Sequence, residues 1–205
     1  QRLGEWCGHA PVLEEDIALT NMALDLIGQA RGVLTLAGQR CSPLLDEDQL
    51  AFLRDERDYR NPTLAELPRG DFAFAVLRNA MLSTWLKLLW ERLLDSQDTE
   101  LAGIAGKALK EARYHQQHAA DWVVRLADGT DESRRRTEAA LTQLWPYTAE
   151  LFEADAVDRA AEASGLGPAW SSLREPWQAE MAEILGAVKL AAPKERSFRR
   201  TGRGG

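Results

Sequence analysis

The sequence predicts an all-α fold, a bundle of long helices joined by shorter ones. Long stretches repeat apolar residues at spacings of three and four, no stretch reads as a convincing strand, and proline and glycine clusters separate the periodic stretches. Apolar residues make up 45% of the 205 residues and charged residues 28%, which allows one sizeable core. We therefore expect a single helical domain over residues 1–205.

The charge distribution excludes some classes of partner. The net charge is −7, but residues 194–205 alone carry +4, so the remaining body is strongly acidic. An acidic body argues against nucleic-acid binding, which needs a basic face. The sequence has no run of about 18 apolar residues that would indicate a membrane span, and we expect no signal peptide. Two cysteines, Cys7 and Cys41, without metal-type spacing favour free thiols in a reducing cytoplasm.

Two helices are predicted in the first forty residues. Residues 1–10 are typical of the last turns of a helix that ends near Gly8, so we expect the beginning of that helix to be missing. Pro11 opens the next helix, because proline suits the first helical turn, and three acidic residues follow near its positive end. This helix is predicted to run to about Ala37.

The middle of the chain predicts a short helix, an irregular connection and a strongly apolar helix. Asp46 and Gln49 form a capping-box pattern for a helix over 47–58. Asp71 caps the following helix, which continues to Leu94. Because that helix is apolar on more than one face, we expect it to lie centrally or to be covered by another subunit.

The longest predicted helix runs from Ser96 to Gly129, with Ser96 as its cap, and serves as the spine of the bundle. A further helix starts at Thr130 or Asp131 and is interrupted at Pro146. Residues 164–168, which are rich in glycine and end in a proline, interrupt the helical spacing of apolar residues. The last helix is predicted over 169–190, and Pro176 should kink it. Most of the seven tryptophans are expected in the core.

The long helix carries acidic and histidine residues on its apolar stripe, as in bundles that hold two iron ions. Such a site takes a Glu from each of two helices and a Glu-x-x-His from each of the other two. The candidate ligands here are Glu5, Asp25, Glu111 and His115. The pattern is broken, because Gly28 and Tyr114 stand where histidines belong and the apolar helix has no acid between Asp71 and Glu91.

These departures predict that the chain holds no metal of its own and has no catalytic residue. Instead, six residues are predicted to form a buried cluster of ion pairs at the vacated metal position, because buried charges persist when paired. They are Glu5, Asp25, Lys87, Lys110, Glu111 and His115. Two alternatives stay open: an autonomous di-iron oxidase that uses the four candidate ligands, and a coenzyme A or phosphate-binding module that uses residues 194–205. A zinc pair of His115 and His118 lacks a third ligand.

Several blocks of the sequence resemble the C subunit of the bacterial phenylacetyl-CoA epoxidase, a multicomponent oxygenase. The blocks are EWCGHAPVLEEDIALTNMALDLIGQAR, DEDQLAFLRDERDYRN, GDFAFAVLR, KALKEARYHQQHAADWVVRLADGTDES and LWPYTAELFEAD. The resemblance covers nearly the whole chain and implies a ferritin-like four-helix bundle with extra helices. Chains of that family are longer at both ends, so this sequence is expected to be truncated relative to them.

The resemblance also implies a function. The C subunit of that family has lost the iron ligands and supports the related catalytic A subunit, so no residue here is carried over as catalytic. The complex uses NADPH and O2, through a reductase with flavin and an iron–sulfur cluster, to convert phenylacetyl-CoA to its ring-1,2-epoxide in phenylacetate breakdown. The di-iron centre and the thioester are then expected in the partner, and this chain is expected to be a cytoplasmic subunit of a hetero-oligomer.

Overall fold

The computed structural model describes residues 1–55 and 58–194, and within them the chain forms helices and no strand. The α-helices are α1 (Leu13–Gln39), α2 (Glu47–Phe52), α3 (Thr63–Glu66), α4 (Phe72–Leu93), α5 (Thr99–Ala127), α6 (Asp131–Leu144), α7 (Ala156–Ala163) and α8 (Arg174–Gly186). Short 3-10 turns cover Gly4–Trp6, Trp145–Tyr147, Ala149–Phe152 and Trp170–Leu173. The prediction of an all-α, ferritin-like bundle is confirmed.

Helix α4 lies at the centre of the fold. Fourteen of its 22 residues are buried, including polar ones such as Asn79, Ser83 and Thr84. It packs along most of α5 and also contacts α6 and α8. The apolar surface of α4, for which the sequence left open a central position or cover by another subunit, is therefore covered largely by the chain itself. Trp177, Met181 and Leu185 of α8 lie in the same core.

By length and composition alone, α4 could also cross a membrane. An 18-residue window of this helix has a mean hydropathy of 1.2. The sequence did not predict a membrane span here, because polar residues interrupt the apolar ones. However, 67% of that window is buried inside the fold. This is the burial expected of the core helix of a bundle. The apolar side chains of α4 are covered by the neighbouring helices of the same chain.

Tryptophan side chains fill the core, and five of the seven are buried. The Nε1 of Trp85 donates to the carbonyl of Leu151, and the Nε1 of Trp177 donates to the carbonyl of Met81, each at 2.9 Å. Trp177 also packs against the ring of Trp145, with centroids 5.4 Å apart. Each of these two indoles therefore buries a large apolar surface without leaving its N–H unpaired.

Two predicted helix caps, Asp46 and Asp71, are confirmed, and Thr130 caps a third helix. The Asp46 side chain accepts from the Gln49 backbone N–H, with the reciprocal bond of a capping box. Asp71 accepts from the Phe74 N–H, and Thr130 caps α6 together with Ser133. In each case the side chain satisfies an N–H that has no partner inside the helix.

The predicted cap of the long helix is wrong by two residues. Asp98, not Ser96, accepts from the backbone N–H groups of Glu100 and Leu101. The Ser96 hydroxyl donates instead to the carbonyl of Leu166 and so ties the start of α5 to the loop after α7. Helix α5 has 29 residues and is about 43 Å long, as a bundle spine requires.

Other predicted boundaries are also corrected. The short helix predicted over 47–58 ends at Phe52, and its residues 56 and 57 lie outside the described residues. Residues 1–10 form a single 3-10 turn and then a bend at Gly8, whose φ is 77°. Pro176 does not kink α8, because it is the third residue of that helix, where no N–H partner is required.

The Trp177 packing generates the first prediction. Trp177→Ala should lower the free energy of unfolding by about 3–5 kcal/mol, because it leaves a large cavity between α4, α8 and the 145–152 turns. Chemical denaturation followed by circular dichroism measures this change. Val157→Ala is the matched control, since Val157 is 69% exposed and its loss should change stability by less than about 0.5 kcal/mol. Equal effects of the two substitutions would contradict the packing described.

Candidate functional site

The interface between α1 and α5 holds the polar residues that the sequence singled out. The Nε2 of His115 lies 2.9 Å from an Asp25 carboxylate oxygen. The His115 side chain is only 2% exposed, whereas Asp25 is 38% exposed at the edge of the interface. Two members of the predicted cluster therefore meet, and their bond joins the two long helices across 90 positions in sequence.

A second polar link runs through three helices. The Nε2 of Gln29 on α1 donates to a carboxylate oxygen of Glu111 on α5, at 3.0 Å. The Oε1 of the same amide accepts from the indole Nε1 of Trp90 on α4, at 3.2 Å. Both ends of the Gln29 amide are therefore used, and Glu111 has a neutral amide as its partner rather than a cation.

A third link lies at the opposite end of the interface. The Nε2 of His118 on α5 lies 2.9 Å from the Oε2 of Glu15 on α1. Both side chains are largely buried, but neither of the two atoms has a hydrogen-bond partner in the described part of the chain, so the contact is one of proximity. His118 therefore has an acidic neighbour across the helix interface.

The six predicted cluster residues do not gather in one place. Glu5 pairs with Arg2 in the first turn, with both side chains 38% exposed. Lys87 pairs with Glu180 on α8. Lys110 is exposed. The prediction of one six-residue cluster is therefore wrong, because the two lysines face α8 and solvent, and only Asp25, Glu111 and His115 share the α1–α5 interface.

These residues do not fit a two-iron centre. Asp25 and His115 bond with each other, and Glu111 accepts from Gln29, so the candidate donors already have protein partners. Helix α4 carries no carboxylate before Glu91, and its Thr84 hydroxyl accepts from Gln116 of α5. Among residues 1–55 and 58–194, no three His, Cys, Asp or Glu side chains are grouped so that they could hold a metal ion.

The tyrosine and glycine that replace the expected histidines lie outside the bundle. Tyr114 is 56% exposed, and its ring lies beside both neighbouring histidine rings. Gly28 is exposed, and a Cβ added there would have no atom within 4 Å. Neither position faces the interior, so no ligand is missing from the core at these two places.

Several residues that stabilise this region were not predicted from the sequence. Gln29 and Trp90 are uncharged and carry no metal-type pattern, and Glu180 of α8, the partner of Lys87 and Gln116, is distant from both in sequence. Arg78 was not predicted either, although it is the lone basic side chain in the apolar first half of α4 and could have been singled out for that reason.

Arg78 is 2% exposed and fastens the connection before α4. Its Nη1 donates to the carbonyls of Leu67 and Pro68, at 2.6 and 2.9 Å. Its Nη2 is buried without a hydrogen-bond partner in the described part of the chain. Burial lowers the pKa of Arg78 to about 10, because desolvation disfavours the charged form, and the nearby charge of Arg2 adds to the effect. Arg78 thus positions the loop rather than binding an acid.

The Asp25–His115 bond generates the second prediction. A double-mutant cycle of Asp25→Ala and His115→Phe should give a coupling free energy of about 1 kcal/mol, because each single substitution removes the same bond. Unfolding by urea measures the four stabilities. Asp25→Ala combined with Thr142→Ala, whose hydroxyl bonds within α6, is the uncoupled control pair. Additive effects for Asp25 and His115 would show that the bond contributes no stability.

Two comparisons with known proteins bear on this site. A sequence model of the family described as "Phenylacetic acid catabolic protein" matches residues 1–205. The chain is also 45% identical over 205 residues to a protein of Escherichia coli (strain K12) whose name describes it as the C subunit of 1,2-phenylacetyl-CoA epoxidase. The match covers 100% of this chain and 82% of that protein.

The resemblance that the sequence blocks suggested is therefore confirmed, and it connects the chain with the phenylacetyl-CoA epoxidase of phenylacetate catabolism. A family model that matches every residue and an identity of 45% across the full chain both support the same assignment. The chain belongs to the phenylacetic acid catabolic protein family.

Proposed function

We propose that this chain is a non-catalytic structural subunit of a phenylacetyl-CoA epoxidase, which pairs with the related di-iron catalytic A subunit and stabilises it. The observation that carries the proposal is that the candidate metal ligands are bonded to other side chains of the chain. Asp25 binds His115, Glu111 binds Gln29, and α4 contributes no carboxylate beside them. These side chains hold helices together and leave no set of anionic donors for two iron ions.

Exposed apolar surface supports the pairing with other proteins. Only six of the 27 residues of α1 are buried, compared with 14 of 22 in α4. Large apolar side chains are also more than 70% exposed in and beside α2, at Leu44, Phe52 and Leu53. Exposed large apolar side chains of this kind are typical of sites of protein association.

In this proposal the chemistry belongs to the partner and to the reductase. The partner holds the di-iron centre and the thioester substrate, and the reductase supplies electrons from NADPH through its flavin and iron–sulfur cluster. This chain contributes a rigid bundle whose long helices are fixed by the Asp25–His115 and Gln29–Glu111 bonds. Its acidic charge fits a cytoplasmic subunit that binds neither nucleic acid nor membrane.

Reconstituted epoxidase activity tests the proposal. The A subunit with its reductase should turn over phenylacetyl-CoA only when this chain is added. The double variant Asp25→Asn/Glu111→Gln should restore the same turnover number as the unaltered chain at saturating concentration, because neither carboxylate binds iron or substrate. Circular dichroism confirms that the variant is folded.

Two results would contradict this account. Loss of more than about tenfold in the turnover number with the folded double variant would place these carboxylates in the chemistry. Full activity of the A subunit without any added chain would remove the supporting role.

A further inference from the structure

A groove of about 820 Å³ lies between α6 and the segment that leads into α4. Residues 67–74 form one wall, and α6 with the turn that follows it forms the other. This volume is in the range of small-molecule sites, which are mostly apolar and use a few polar groups to orient the ligand. None of the described residues that line the groove belongs to α1 or α5, so it is separate from the interface of Asp25, Glu111 and His115.

Most of the groove lining is apolar or aromatic. These lining residues are Leu67, Pro68, Phe74, Ala139, Ala140, Pro146 and Tyr147. Gly70 has a φ of 69°, and a Cβ added there would lie 2.6 Å from the Phe74 ring. A residue with a side chain would therefore push the ring away, and glycine allows it to lie close against the backbone of this wall. The groove offers a preformed surface for a flat apolar group.

Two arginines of α6 supply the polar groups of the groove. The carboxylate of Glu132 accepts from Nε and Nη2 of Arg135, each at 2.8 Å, and from Nε of Arg136, at 2.7 Å. These bonds hold the two guanidinium groups side by side, and they lower the pKa of Glu132 to about 2. Nη1 of Arg135 and Nη2 of Arg136 have no hydrogen-bond partner within residues 1–55 and 58–194. Both can therefore donate to an added carboxylate.

A third arginine lies behind the opposite wall. Nη1 of Arg78 donates to the carbonyls of Leu67 and Pro68, and its guanidinium carbon is 5.6 Å from the centroid of the Phe74 ring. All three of these neighbours line the groove. The buried Nη2 of Arg78 has no partner among the described residues, so no acid there neutralises this charge directly.

The charges around the groove favour a ligand with a single negative charge. The cations are Arg78, Arg135 and Arg136, and the anions are Asp71 and Glu132. Three positive and two negative charges leave a sum of +1. Asp71 lies 3.7 Å from Nη1 of Arg136, too far for a hydrogen bond, so it does not use up the donors of that side chain. A carboxylate matches this balance, whereas a phosphate monoester carries about two charges.

We propose that this groove binds an aromatic carboxylate. The carboxylate accepts from Nη1 of Arg135 and Nη2 of Arg136, and the ring lies on the apolar surface beside Phe74 and Tyr147. Along α6 the distance from Arg135 to Gln143 is about 12 Å, which leaves room for both parts of such a ligand. The site belongs to this chain alone and does not depend on the proposed role toward the A subunit, so either proposal can fail without the other.

Nuclear magnetic resonance of the isotope-labelled full chain, titrated with phenylacetate as the probe, tests the site. Amide signals of α6 and of residues 67–74 should shift and approach saturation at millimolar phenylacetate, since a ligand of this size binds weakly. Signals of Asp25, Glu111 and His115 should not move. Arg135→Gln/Arg136→Gln should raise the dissociation constant at least about tenfold, because two charge-assisted hydrogen bonds are lost.

Arg40→Gln/Arg113→Gln is the matched control for this double variant. It removes the same charge from two arginines that are more than half exposed and do not line the groove. Its dissociation constant for phenylacetate should equal that of the unaltered chain. The dispersion of the amide signals shows that each variant is folded.

Three further probes separate the contributions of ring and charge. 2-Phenylethanol has the ring without the charge, and acetate has the charge without the ring, so each should bind at least about tenfold more weakly than phenylacetate. Phenyl phosphate should bind no more tightly than phenylacetate.

Four results would overturn the proposal. The first is the absence of saturable shifts at the groove, and the second is an unchanged dissociation constant in the Arg135→Gln/Arg136→Gln variant. The third is equal binding of 2-phenylethanol, which would show that the arginines do not hold the ligand. The fourth is tighter binding of phenyl phosphate, which would make the site one for phosphate.

Discussion

The burial of α4 is the constraint on which the rest of the structure depends. This helix is apolar on most of its surface, so α5, α6 and α8 must surround it. Its polar side chains are used inside the fold, as when Thr84 accepts from Gln116 or Arg78 donates to the carbonyls before the helix. With α4 enclosed by its own chain, α1 remains at the edge, where it packs on α5 with one side and leaves the other exposed.

The same constraint explains why the charged residues of the bundle act as structural links. A two-iron site would need acids on α4, where only apolar and neutral side chains stand between Arg78 and Lys87. Asp25, Glu111 and His115 are left to join α1 to α5 through pairwise bonds. Removing one member of such a pair leaves a buried polar group unsatisfied, which costs more than the net free energy of the bond itself. The fold can therefore retain these residues without any catalytic requirement.

Much of the fold was predictable from the sequence because its signals are local. The spacing of apolar residues located the long helices, and the side chains of Asp46, Asp71 and Thr130 located three helix starts. The partners of charged residues were not predictable, because Lys87 meets Glu180 only after α4 and α8 pack together. For the same reason the sequence indicated that α4 and α8 are apolar but not that the chain itself covers their apolar surfaces.

Iron content of the purified chain is the most direct measurement of the central claim, that this chain keeps an oxygenase-like bundle without its metal centre. After anaerobic incubation with excess Fe(II) and removal of unbound metal, elemental analysis should give far less than one iron per chain. The catalytic A subunit, treated in parallel, should retain about two, as a carboxylate-bridged pair requires. Two tightly bound iron ions in this chain, lost in the Asp25→Asn/Glu111→Gln variant, would contradict the account.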